Sequence, residues 1–498
     1  MAVLVVTAAA AAPPTGLICG ARNNNTHEKL QECVTLAGVR EHQQALQTIA
    51  SANGNNRAAG RAGYDASVDY AEGVFTAAGY TVARQEFSFT YTEENSRLIR
   101  VSPSPRTFVN NTDFIRNRFG VTLDAGVPEG TSTGTLVPVG LVIDPSLPPN
   151  SNTSGCEATD FAGFPAGGIA LMQRGTCGFT VKALNAQAAG ATGVIVMNEG
   201  QPGRTGLLGM TGDATGLTIP AVFATFEAGL DLSQTPGATV TVTVDFLAET
   251  RTTENLIAES KTGNANNVVI VGAHLDSVQA GPGINDNGSG TAAILEVAEQ
   301  MTRVKPTNKV RFALWGAEEN GLLGSTYYVA NLPQAERDKV ALYLNFDMIG
   351  SPNFGLFIYD GDNSDGVGAG PGPTGSDAIE EAFERFYTSR SKPFKGTDFD
   401  GRSDYGPFIA PTVGIPAGGL FTGAEQPKTA AEVALWGGTA GQQYDPCYHQ
   451  ACDGFANNSD TALDLNSDAV AYVTLQYGMT TRDVNGVPGN PDFEGFLP

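Results

Sequence analysis

Apolar positions along this chain follow two regimes. From about residue 254 onward, short runs rich in Val, Ile, Leu and Phe alternate with stretches whose apolar residues recur every three or four positions. The runs Leu256–Glu259, Asn267–Ala273, Lys309–Trp315 and Val340–Phe346 predict strands buried on both faces. Periodic stretches between and after them predict helices over 291–302, 321–331 and 376–390. Residues 406–416 lead to a further short strand, and Asp460–Met479 predicts a closing helix. Strands alternating with helices predict an α/β domain: a mixed, mostly parallel sheet with helices on both faces. Upstream, Val39–Ser51 reads as a helix, Gly60–Tyr64 as a turn, Ser67–Ala78 as an amphipathic helix and Gly79–Phe89 as an alternating strand.

Near Glu93 the texture changes. To about residue 249 the chain has short apolar runs, many Gly, Pro and Thr, and few helical stretches. Within it, residues 167–177, 179–191 and 193–198 predict strand, helix and strand. The string RGTCGFTVKALNAQAAGATGVIVMN (174–198) resembles the protease-associated (PA) domain. This segment holds no histidine, so it offers no imidazole ligand, and a binding or lid module is expected. The expected organisation is a discontinuous catalytic domain over 36–92 and 250–482, a β-rich α+β insert over 93–249, and a Gly/Pro-rich irregular tail over 483–498. No internal repeat is visible.

With 41% hydrophobic and 16% charged residues, the chain has ample material for a core and is too apolar for disorder. A net charge of -23 excludes a nucleic-acid partner on electrostatic grounds and favours cations, including metal ions and protonated amines. Residues 1–15 are apolar and end in small residues, like the core and cleavage region of a secretory signal. No other apolar run reaches the roughly 18 residues of a membrane span, so a secreted, soluble, extracellular protein without stable membrane association is expected, by default a monomer. Six cysteines in an exported chain favour disulfides and allow 15 pairings. Their sequence-local grouping suggests Cys19 with Cys33, Cys156 with Cys177 and Cys447 with Cys452, the first stapling a lead over residues 16–35.

The predicted strand Asn267–Ala273 delivers His274 to its carboxyl end, where open α/β sheets place their chemistry. Asp276 lies close enough to orient that imidazole, as an outer partner of a metal site. Asp286 lies in a Gly-rich loop before a helix. Glu318 and Glu319 follow the third strand and Asp347 the fourth. His449 sits between Cys447 and Cys452. Two imidazoles and three carboxylates suit two zinc ions: Asp286 as bridge, His274 and Asp347 on one ion, Glu319 and His449 on the other. Glu318, beside a ligand but not itself one, is the candidate general base.

The strings GAHLDSV, GINDNGSG, WGAEENGLLGS, NFDMIGSPN, DGRSDYGPF and CYHQAC resemble the secreted, two-zinc aminopeptidases of the M28 type over residues 36–92 and 250–480. The resemblance implies those same ligands and base. It also implies that Tyr448 hydrogen-bonds the scissile carbonyl oxygen. The substrate amine would be held near Glu318, Asp347 and the backbone at Arg402. Phe421, within Gly418–Gly423, would line a pocket for large apolar N-terminal residues, leucine above all. Asp464 and Asp468 match a calcium site of the family. The implied substrates are the N-termini of peptides and proteins. Two other readings share the fold: a glutaminyl cyclase, which uses one zinc, and a non-catalytic ectodomain, which loses ligands or the base. Retention of all six residues argues against both. A terminal segment that inhibits until removed is a further expectation from relatives with the insert.

Overall fold

The computed structural model describes residues 19–119, 129–213, 215–235, 237–368 and 370–493; the signal-like run lies outside them. The chain divides into two compact units, Met1–Phe89 with Thr252–Pro498, and Thr90–Arg251.

The first unit is built on eight strands: β1 (Thr81–Glu94), β2 (Phe246–Glu259), β3 (Asn264–His274), β4 (Asn308–Trp315), β5 (Val340–Phe346), β6 (Phe357–Tyr359), β7 (Lys395–Thr397) and β8 (Ala417–Phe421). Their order in the sheet is β1-β2-β4-β3-β5-β8-β6-β7. β3 lies centrally, parallel to both β4 and β5, and β8 is parallel to β5. β2 against β4 and β6 against β8 are antiparallel. The central four strands therefore end on one edge, the edge that carries His274.

Burial on both faces explains the unbroken apolar run in β3. Val269, Val271 and Ala273 point into one cluster, with α1 (Leu36–Ala52), α2 (Ala62–Ala77), α3 (Gly288–Gln300), α5 (Ser376–Ser389) and α6 (Asp460–Met479). Val268 and Ile270 point into the other, with Tyr328 and Val329 of α4 (Leu323–Asn331) and Phe408. The period of two sends alternate residues to opposite layers.

Helix boundaries depart from the periodicity where caps and glycines intervene. α2 begins at Ala62, inside the predicted turn, and Gly63 in its first turn packs its backbone against Asn56: a Cβ there would lie 2.1 Å from the Asn56 carbonyl oxygen. α3 begins three residues before the expected 291. The Asn287 side chain caps it by accepting from the Gly290 N–H. Gly290 has no room for a side chain, with the Phe346 carbonyl oxygen 2.1 Å from a built Cβ. This close approach of helix to strand brings the Asp286 loop onto the end of β5. The tail is less irregular than its composition predicts. Arg482–Asn485 and Pro491–Phe493 form helical turns, since Val484 is buried and Phe493 packs edge-on to His27.

The second unit is a mixed sheet. Parallel strands Gly130–Pro138, Ile169–Gln173, Gly193–Met197 and Ala221–Ala224 form its centre, and antiparallel strands flank them. The expected strand, helix and strand are Ile169–Gln173, Phe179–Ala188 and Gly193–Met197. The three cysteine pairs are disulfides between the sequence-local partners. Among the described residues, no helix is long and apolar enough to cross a membrane.

Candidate metal centre and active site

His274 ends β3 and is buried. Its Nδ1 lies 3.2 Å from the Asp276 carbonyl oxygen and 3.5 Å from Asp276 Oδ1. Its Nε2 faces Asp286 Oδ1 at 3.2 Å, Asp347 Oδ1 at 3.4 Å and Glu318 Oε2 at 3.9 Å. His449 Nε2 faces Glu319 Oε2 at 3.0 Å and Asp286 Oδ2 at 3.3 Å. The two carboxylate oxygens of Asp286 thus face one histidine each. The structure brings His274, Asp286, Glu318, Glu319, Asp347 and His449 together from five separate stretches of chain.

This donor set fits a metal. His274 Nε2, Glu319 Oε1 and Asp347 Oδ1 are buried with no hydrogen-bond partner, a cost that a bound cation would remove. Ligand atoms cluster as His274, Glu318 and Asp347, and as Asp286, Glu319 and His449, each set within 4.8 Å. Imidazole nitrogen with carboxylate oxygen is a donor set zinc takes readily. Distance alone does not separate Glu318 from the other carboxylates of the group. Burial pushes its carboxyl well above the usual carboxylate range, with Asp404, Asp347 and Glu319 adding to the effect.

Three residues at the site hold left-handed backbone: Ala317 (φ 54°), just before Glu318; Met348 (φ 51°), just after Asp347; and His449 itself (φ 57°). Such non-glycine positions cost about 1–3 kcal/mol each and persist where the surroundings over-determine them.

The supporting shell is where the sequence was least informative. The Asp276 carboxylate accepts from the N–H groups of Glu318 (3.2 Å) and Glu319 (3.3 Å), so one side chain orients the imidazole and both glutamates. Asp453 accepts from the N–H groups of Asn285 (2.9 Å) and Asp286 (3.0 Å). Asp445 accepts from Asn285 Nδ2 (2.7 Å) and from the Cys447 N–H (2.8 Å). These two aspartates flank the Cys447–Cys452 disulfide, so they tie the His449 loop to the Asp286 loop. Arg57 is fully buried and donates to the carbonyls of Leu275, Pro282 and Gly283. Burial lowers its pKa to about 10, while Asp276, Asp453, Asp286 and Glu319 favour its charged form. It is a fixed cation set among acids. Nothing in its sequence neighbourhood singles out Arg57.

A chain of hydrogen bonds also reaches Asp347. Trp315 Nε1 donates to Tyr343 Oη, Tyr343 to Asn345 Oδ1, and Asn345 Nδ2 to Ser403 Oγ, each at 2.9 Å. Ser403 Oγ then donates to Asp347 Oδ2 at 2.6 Å. Ser403→Ala is expected to lower kcat/KM about 10- to 100-fold, the usual loss for an outer partner if Asp347 holds a metal. Steady-state kinetics with zinc analysis of the variant check this.

The site opens into a cleft of about 370 Å³ lined by Leu322, Tyr359, Asp398, Asp400, Arg402, Phe421 and Tyr448 beside the acidic groups. Tyr448 stacks on His449 with ring centroids 3.8 Å apart. Its hydroxyl accepts from Arg402 Nη2 at 3.1 Å, leaving its own proton free to donate. Burial raises its pKa, with Asp286 and Glu319 adding, so the phenol stays protonated. Arg402 also pairs with Glu425 at 2.9 Å. Phe421, half-buried at the end of β8, lies at the cleft wall 6.3 Å from the Phe357 ring. Asp464 and Asp468 lie elsewhere, on α6, where Arg390 pairs with Asp468 at 3.3 Å.

Residues 255–474 match the family model described as peptidase family M28, and residues 132–232 match the PA domain. The chain is similar to an aminopeptidase of Pseudomonas aeruginosa (strain UCBPP-PA14), 50% identical over 461 residues, 92% of this chain and 83% of that protein. It is 40% identical over 471 residues to leucine aminopeptidase 2 of Trichophyton rubrum, 94% of this chain and 88% of that one. Among solved structures, a zinc aminopeptidase from Bacillus subtilis is 25% identical, with a TM-score of 0.55, covering 88% of this chain and 94% of that one.

Proposed function

Since this chain belongs to peptidase family M28 and is a zinc-dependent aminopeptidase, we propose that it is an exported enzyme that removes large apolar residues, leucine foremost, from peptide N-termini. Two zinc ions would be held here, one by His274 and Asp347 and one by Glu319 and His449, with Asp286 available to both. The observation that carries this reading is Asp286, whose two oxygens face His274 and His449 separately. When bound, the zinc pair lowers the pKa of water and polarises the scissile carbonyl.

The chain's own groups supply the rest. Glu318, buried and raised in pKa, takes a proton from the attacking water and delivers it to the leaving amine. Tyr448 donates its free hydroxyl proton to the carbonyl oxygen as negative charge develops there. The acidic cleft, with Asp347, Asp398 and Asp400 on its walls, attracts a free α-ammonium and selects for a chain end. Phe421 offers an apolar wall to the first side chain. The name of the Trichophyton relative supports leucine as that side chain. Three disulfides support export to an oxidising compartment. The PA insert acts as a binding or lid module, and the enzyme works as a monomer.

Hydrolysis of leucine-p-nitroanilide beside its N-acetylated analogue tests the reading. Cleavage of the free amine alone is expected; cleavage of both would remove the exopeptidase assignment. With alanine-p-nitroanilide as a second substrate, Phe421→Ala is expected to lower kcat/KM for the leucine substrate about 10-fold and for the alanine substrate much less. An equal loss on both would make Phe421 a packing residue.

A further inference from the structure

A second group of carboxylates lies apart from the zinc-binding residues, at the end of β6. Asp360 follows Tyr359 directly, and its side chain is buried, 2% exposed. Both of its carboxylate oxygens lack a hydrogen-bond partner. Glu380, in the second turn of α5, is buried as well, and its Oε2 accepts from the N–H groups of Gly361 (2.7 Å) and Asp362 (3.3 Å). Asp362 is exposed at the mouth of the group. One carboxylate oxygen from each of the three lies within 4.8 Å of the others. Among the described residues, no lysine or arginine pairs with any of them.

A buried carboxylate with neither oxygen bonded, facing two further acids, is costly and calls for a cation. The local backbone is shaped for the contact. Gly361 brings the loop directly onto the start of α5, where a Cβ would stand 2.3 Å from the Ser376 carbonyl oxygen.

We propose that Asp360, Asp362 and Glu380 form a calcium site, separate from the zinc centre, that pins the loop after β6 to α5. All-oxygen donors suit a hard cation rather than zinc. Two fixed carboxylates on different elements and one on a surface loop suit the irregular geometry calcium accepts, whereas magnesium demands a near-ideal octahedron. The site bears on the cleft, because Tyr359 lines it and Asp360 is held to β7 by its N–H bond to the Thr397 carbonyl at 2.9 Å.

The test uses the zinc-loaded full chain in calcium-free buffer, titrated calorimetrically with CaCl2 and melted with and without the ion. Calcium is expected to bind and to raise the Tm by at least about 2 °C. Asp362→Ala, at an exposed position, is expected to retain aminopeptidase activity while binding calcium at least about 10-fold more weakly, with the Tm response gone. Glu380→Gln, which keeps an acceptor for the two loop N–H groups, is expected to behave alike. A wild-type chain that binds no calcium would overturn the proposal. So would calcium binding and a Tm rise unchanged in Asp362→Ala, which would place the ion elsewhere, such as the Asp464 and Asp468 face. A larger Tm rise with MgCl2 at equal concentration would overturn the choice of ion.

Discussion

Glu318→Gln is expected to lower kcat/KM on leucine-p-nitroanilide by about 10³-fold or more, toward the upper end of what a general acid–base contributes, with zinc content unchanged. The change keeps volume and one acceptor oxygen while removing the proton carrier. Three features make Glu318 the group to test. Its carboxyl is buried among Asp347, Asp404 and Glu319, which holds its proton affinity high enough to accept a proton. Its N–H is anchored on Asp276, so the side chain leaves a fixed backbone. Its carboxyl lies 3.9 Å from His274 Nε2, farther than those of Asp286 and Asp347. That last difference is small, so metal analysis decides the role. Unchanged zinc with lost turnover marks a base; loss of an ion along with activity would make Glu318 a ligand to the ion beside His274 and Asp347.

Asp286→Ala is expected to remove activity through the metal instead. Its oxygens address both histidines, so its loss should lower occupancy at both positions, whereas His449→Ala should spare the one at His274. Several kcal/mol of charge stabilisation would go with the ions, about 10³-fold or more in kcat/KM. Zinc per chain, measured after dialysis, separates this from a folding defect when read beside the Tm. A variant that kept full zinc and activity would show that Asp286 is not shared.

Much of the catalytic unit was legible because its signals are local. Strands such as Asn267–Ala273 announce burial on both faces by an unbroken apolar run, and their turns expose the chemistry that follows. His274, Glu318, Glu319 and Asp347 could be picked out at the ends of such runs. Helix starts were less readable. Gly63 and Gly290 stand in first turns where neighbouring carbonyls leave no room for a Cβ, so the residue type there answers to packing rather than to helix propensity.

Of the supporting groups, Asp276 was legible from its place two residues after His274; those brought in from distant parts of the chain were not. Asp453 meets the backbone of Asp286 from 167 positions away, Ser403 reaches Asp347 across 56, and Arg57 threads beneath the loop after Pro282 across more than 200. Each is an ordinary polar residue in its own neighbourhood. Asp360 and Glu380 likewise become a candidate ion site only when β6 and α5 are side by side. Sequence by itself determined which residue types stand at the ends of the parallel strands, and so the class of chemistry. Tertiary structure alone decided which carboxylates lose water, which find donors and which are left facing one another. Desolvation and hydrogen-bond geometry depend on neighbours that the order of residues does not place together.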